Sequence, residues 1–183
     1  MRDNTLSKLL IVSGTLLVLV SLSVIWRRND PDRLSFEIEQ SDTEQRTQEE
    51  GDVTPKVLRI GELGISLPVV GARLNKNRWE TTSEGVSYLI GSPLPGEKGN
   101  AVFYGHNWGS ILGNLTKAKP GQRISVYFDT GKKADFEISL VQEVTPDTTS
   151  ILDQTEDTRL TIYTCSGLFD QKRFVVIAFP VAS

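Results

Sequence analysis

Arg159-Leu-Thr-Ile-Tyr-Thr-Cys165-Ser-Gly-Leu-Phe-Asp-Gln-Lys-Arg173-Phe-Val-Val-Ile-Ala-Phe179 carries the only cysteine of the chain and a fixed cation on either side of a turn. Both flanks read as strands, Leu160, Ile162 and Tyr163 on one side and Phe174 through Phe179 on the other, because β-branched and aromatic residues dominate them. Ser166 to Lys172, with Gly167 and Asp170, supplies the turn. Paired strands lie about 5 Å apart, which sets Arg173 beside Cys165. With a period of two, Leu160, Ile162 and Thr164 face one side of the sheet, and Thr161, Tyr163 and Cys165 face the other. The apolar pair points to a core, so the sulfur points away from it.

Taken singly, a free cysteine is a small buried hydrophobe and Arg173 is a solvated strand-end charge. The rest of the body changes that reading. Short apolar stretches recur at Val57–Ile60, Ile65–Val70, Val86–Ile90, Ala101–His106, Arg123–Phe128, Phe136–Val144, Leu160–Cys165 and Phe174–Phe179. Evenly spaced short strands without long helical patterns make an all-β barrel or sandwich. Ser110–Leu115 and Thr82–Gly85 read as short helical turns, and no internal repeat is found. The Pro/Gly loop Gly91–Asn100 feeds a strand that ends on the only histidine, His106, with Val102 and Tyr104 on the same face. One Cys, one His and one Arg therefore each sit at a strand end.

Before the body come two different polymers. Leu9 to Trp26 contains no charged residue and matches the roughly 20 residues that cross a bilayer as a helix. It ends in Trp-Arg-Arg rather than a small-residue cleavage site, so residues 1–28 read as an uncleaved membrane anchor. Residues 29–55 carry nine acidic and two basic side chains and few large apolar ones after Phe36 and Ile38. Such a stretch cannot offset its conformational entropy by burial, and it reads as a disordered linker between the anchor and a body spanning 56–183. The net charge of −3 gives no nucleic acid a footing, and one cysteine allows no internal disulfide. Charge alone does not orient the anchor, since Arg2 and Lys8 compete with Arg27, Arg28 and Arg33.

Ile65-Ser-Leu-Pro-Val69, Pro95-Gly-Glu-Lys-Gly-Asn100, Tyr104-Gly-His106-Asn107, Lys119-Pro-Gly121, Leu160-Thr-Ile-Tyr-Thr-Cys165 and Arg173-Phe-Val-Val176 occur in the order found in sortases. The chain resembles these membrane-anchored cysteine transpeptidases through nearly the whole body. The resemblance implies a closed eight-stranded β-barrel with a groove on its outer face. Cys165 would be the nucleophile, His106 the general acid/base and Arg173 the oxyanion or substrate stabiliser. The anchor would lie with its N-terminus inside, leaving the catalytic domain extracellular. The partners would be the sorting-signal peptide of secreted surface proteins and an amine acceptor of the cell wall or a pilin. Thr164, Asn107, Ile151 and Leu152 are the candidate substrate contacts. Departures are Ile162 where the family commonly has Leu, a short Cys165–Arg173 loop, Asn107 where several subfamilies have Arg, and no helix after Ser183; no subfamily is singled out.

The chemistry suits these residue types. A thiol attacks as thiolate, which a nearby cation favours, and a guanidinium holds an oxyanion without changing its own proton count. No cofactor is expected. Glu143, Asp147, Asp153, Glu156 and Asp157 surround the Val144–Arg159 loop, and some sortases bind calcium. The spacing reads as a solvated acidic loop, with no metal assigned. A cysteine hydrolase and a non-catalytic surface binding barrel are the alternatives.

Overall fold

The structure is a computed structural model that describes residues 3–28, 31–36, 53–75 and 78–181. It divides into two units, one ending at Pro31 and one starting at Asp32. The first is helix α1, Asp3–Arg28, whose apolar stretch Asn4–Trp26 is 23 residues long. At about 1.5 Å per residue it is long and apolar enough to span a bilayer core, and its side chains from Asn4 to Trp26 are exposed.

In the second unit, eight strands close into a barrel in the order β1 (Pro55–Ile60), β2 (Ile65–Ala72), β5 (Val86–Leu89), β6 (Gly99–Gly105), β9 (Thr158–Ser166), β10 (Lys172–Pro180), β8 (Lys133–Val144) and β7 (Arg123–Phe128). Every strand expected from the sequence is present. Pairing is antiparallel except at β2/β5 and β6/β9. A small added hairpin joins β3 (Leu74–Asn75) to β4 (Arg78–Trp79); two-residue strands leave no periodic trace in a sequence. The turn expected at Ser110–Leu115 is a short helix at Gly113–Lys117, whereas Thr82–Gly85 is not helical.

The alternation of β6, β9 and β10 builds two cores rather than one. Ala101, Phe103, Leu160, Ile162, Val176 and Ala178 point into the barrel with Leu58, Ile60, Ile124 and Phe136. Val102, Tyr104, Tyr163, Cys165, Val175 and Ile177 point outward into a second apolar cluster. Strands buried on both faces read as near-continuous apolar runs, as these do. β8 alternates more openly over Phe136–Leu140, with Phe136 and Ile138 inside and Glu137 outside. The outer cluster is closed by Trp79 and by Leu34 and Phe36, which are 0% and 2% exposed.

That last contact corrects the expectation of a linker beginning at residue 29. Pro31–Leu34 form a helical turn, and Leu34 and Phe36 pack on the barrel. The rest of the expected linker, residues 37–52, lies outside the described residues.

Candidate active site

β9 and β10 pair with Arg173 directly opposite Cys165, as the hairpin reading requires. β6 runs parallel to β9 with Gly105 opposite Thr164, so the next residues, His106 just past the end of β6 and Cys165 within β9, stand at the same level. Thr164 is fully buried and its hydroxyl donates to the Gly105 carbonyl at 2.7 Å. It therefore locks β6 to β9 beside the histidine instead of facing a ligand. Cys165, His106 and Arg173 are 3%, 8% and 3% exposed, which removes Arg173 from the class of solvated charges.

What covers them is the chain's own segment ahead of the barrel. The Cys165 thiol donates to the Arg33 carbonyl at 3.0 Å, the Tyr163 hydroxyl to the Leu34 carbonyl at 3.3 Å, and Arg173 Nη2 to the Ser35 carbonyl at 2.7 Å. Three successive peptide carbonyls are thus gripped by three groove side chains. Arg173 Nη1 is held by the carbonyls of Asp170 and Lys172, while its buried Nε has no partner among the described residues. The Phe36 ring lies edge-on to Tyr163 (4.9 Å) and Trp79 (6.4 Å), with the Arg173 guanidinium 5.8 Å from its centre. Edge-to-face pairs of this kind add about 0.5–1.5 kcal/mol each beyond area burial.

The turn between Cys165 and Arg173 is strained, since Phe169 and Asp170 adopt φ of 56° and 59°, the left-handed region that non-glycine residues avoid. Asp170 is tied down from two directions. Its carboxylate pairs with Arg33 and accepts a hydrogen bond from Asn107 Nδ2 at 3.1 Å. Asn107 therefore braces the turn rather than standing free.

Electrostatically the resting site is neutral in its reacting pair. Burial pushes the Cys165 thiol above its ordinary range, with Arg173 and Arg33 pulling it back only in part. Burial, and then the Arg33 charge, hold His106 below the usual imidazole value. The sequence expectation of a cation-favoured thiolate is outweighed here by desolvation, which disfavours the charged form of either group. Tyr163 and Tyr104, stacked at 5.5 Å, are likewise pushed upward by burial.

Ile151 and Leu152 pack half-buried against the outer cluster. Their turn is clasped by Asn100, whose Nδ2 donates to the carbonyls of Ile151 (3.0 Å) and Asp153 (3.2 Å) while its Oδ1 accepts from Thr161 at 2.7 Å. Among the described residues no group of three or more His, Cys, Asp or Glu is placed to hold a metal. Of the acidic residues around this loop, Glu143 pairs with Lys172, Glu156 with Lys98 and Asp157 with Arg159. Trp79, Asn100 and Trp108 also belong to the site or its walls; Asn100 ends the Pro95–Asn100 stretch, Trp108 stands two residues after His106, and Trp79 carries no sequence signal of its own.

A family model of the sortase domain matches residues 58–181. Over 123 residues the chain is 28% identical to Sortase A of Bacillus anthracis, covering 65% of this chain and 56% of that protein, so it spans little more than half the relative's length. Among solved structures, sortase C-1 from Actinomyces oris is similar over 88% of this chain and 96% of that one, at 22% identity and a TM-score of 0.64. Streptococcus agalactiae Sortase C1 is similar over 70% and 67%, at 20% identity and a TM-score of 0.61.

Proposed function

Because the chain belongs to the sortase family of cysteine transpeptidases, we propose that it cleaves a peptide bond in the sorting signal of a surface protein and transfers the acyl part to an amine. The observation that carries this reading is the row of peptide carbonyls from Arg33, Leu34 and Ser35 held by Cys165, Tyr163 and Arg173. A groove that grips the chain's own backbone in this way suits an incoming peptide, which must displace residues 33–36 to enter.

In this mechanism the Cys165 thiol gives its proton to His106 as sulfur attacks the scissile carbonyl carbon. Arg173 stabilises the oxyanion, with its unused Nε as a further donor. The C–N bond breaks, His106 protonates the leaving amine, and a thioacyl enzyme remains. An acceptor amine then attacks the thioester, His106 takes its proton, and the C–S bond breaks. Ile151 and Leu152 form an apolar wall for the donor peptide.

The α1 helix anchors the chain as a single span with the barrel outside the cell; protease added to intact cells removes the barrel if so, and spares it if it lies inside. The activity is tested by incubating the full chain with a panel of sorting-motif peptides and an amine acceptor, with mass detection of the joined product. Product that is lost in Cys165→Ala supports the reading. Hydrolysed peptide alone would identify a hydrolase, and no acyl adduct with any peptide would leave a binding barrel.

A further inference from the structure

We propose that Trp108 is the positioning residue for His106, its indole fixing the plane of the imidazole and stabilising the imidazolium formed during turnover. The inference rests on His106 being the acid/base above. The two rings lie parallel, 4.3 Å between centres and 8° between planes.

The backbone leaves Trp108 little freedom. Its carbonyl accepts from Ile111 N at 2.9 Å and Gly113 N at 2.8 Å, while the His106 carbonyl accepts from Leu112 N at 3.0 Å. A Cβ on residue 113 would stand 2.7 Å from the Trp108 oxygen, so the turn closes this tightly because residue 113 is glycine. The indole packs against the barrel-interior cluster as well as on the imidazole. Asn107, between the two rings in sequence, points to Asp170. The turn thus aims neighbouring side chains at the histidine and at the Cys165–Arg173 connection.

The charge around the imidazole explains why a π face matters there. Arg33 bears on it directly. Cys165 occupies the adjoining strand with Arg173 opposite it, and Asp170, reached through Asn107, is already paired with Arg33. Burial and the Arg33 charge both oppose a protonated His106. Acylation nevertheless requires the imidazole to carry the thiol proton until the leaving amine takes it. The electron-rich face of an indole attracts a cation in a way that an aliphatic cover does not.

His106 is the only histidine, so the imidazole signal of the ¹³C-labelled full chain reports its protonation directly, whether or not a substrate is known. Trp108→Leu keeps an apolar cover and removes the π face; Trp108→Phe keeps a weaker one. The expected result is a protonation constant lower by about 2- to 5-fold in Trp108→Leu, a midpoint about 0.3–0.7 pH unit lower, with Trp108→Phe between it and the wild type. In turnover the acid limb of the kcat/KM profile moves with the midpoint while KM for the donor peptide holds. An unchanged or raised midpoint in Trp108→Leu overturns the proposal, the indole then being only a lid. If that variant does not fold, a Trp108→Phe midpoint equal to wild type overturns it equally. Failure of transpeptidation with the titration order intact would strike the activity and leave the ring pair standing.

Discussion

The β9–β10 hairpin and the segment from Arg33 to Phe36 meet over the same sulfur, yet they are held in place differently. The hairpin belongs to a closed barrel, hydrogen-bonded along both edges and buried on both faces. The segment belongs to no sheet, and its attachments among the described residues run through side chains: Leu34 and Phe36 in the outer cluster, Arg33 on Asp170, and its three carbonyls on the side chains of Cys165, Tyr163 and Arg173. Equal burial therefore need not mean equal permanence. A segment fixed by side chains alone is able to open locally while the barrel stays folded.

The largest expected difference tests that contrast like for like. Leu58 and Leu34 are both 0% exposed. Leu58→Ala, in the barrel interior, should cost about 2–5 kcal/mol of global stability, as buried leucine truncations do. Leu34→Ala should leave the melting transition nearly in place and instead speed amide exchange in residues 33–36. Equal drops in melting temperature would mean that the segment is an integral part of the barrel.

Next in size is Arg173→Lys, which keeps the charge and loses the planar fork. A folded variant should turn over about 10²-fold more slowly, the loss that follows removal of an oxyanion donor. Near-normal transpeptidation would leave Arg173 with no part beyond holding Ser35.

Asn100→Ala should cost about 1–3 kcal/mol, because it strands the buried Thr161 hydroxyl and two loop carbonyls. The same change loosens the Ile151–Leu152 wall, so KM for a donor peptide should rise more than kcat falls. A kcat loss with KM unchanged would contradict that placement.

The smallest effect is one of pH. His106 is depressed from 6.5 in the folded chain, so below 6.5 the unfolded state binds the proton more readily. Its contribution to stability is complete above pH 6.5 and is lost as pH falls from there through the lower folded midpoint. Arg33→Gln removes the smaller of the two causes, so urea unfolding between pH 5 and 7 should show a shallower acid slope, with part of it remaining from burial. A steeper slope would reverse the sign of the Arg33 effect.

The barrel was legible because periodicity is a property of whole strands: Leu160 and Ile162 inward, Tyr163 and Cys165 outward follow from alternation alone. The Cys165–Arg173 pairing followed from one turn, and His106 from its place at a strand end. The segment over the site was not legible. Leu34 and Phe36 are two apolar residues in an acidic stretch, too few to set a period, and their partners Trp79 and Tyr163 lie far along the chain. The stack of Trp108 on His106 and the clasp by Asn100 depend on tight turns whose closure is a three-dimensional fact. The depressed imidazole and raised thiol follow from that unforeseen burial, which is why the sequence expectation of a cation-activated thiolate had the opposite sign.

Alkylation of the single thiol by iodoacetamide tests most directly whether residues 33–36 close the groove that holds Cys165. In the native chain Cys165 is 3% exposed and its ionisation is opposed by burial. Charges placed at Leu34 and Phe36 cannot remain in an apolar cluster. Leu34→Asp/Phe36→Asp should therefore alkylate at least about 10-fold faster at neutral pH, with the thiol better hydrated and more readily ionised, while the barrel's melting temperature changes little. Equal rates in the two proteins, both folded, would contradict the account, since Cys165 would then be reached without moving the segment that covers it.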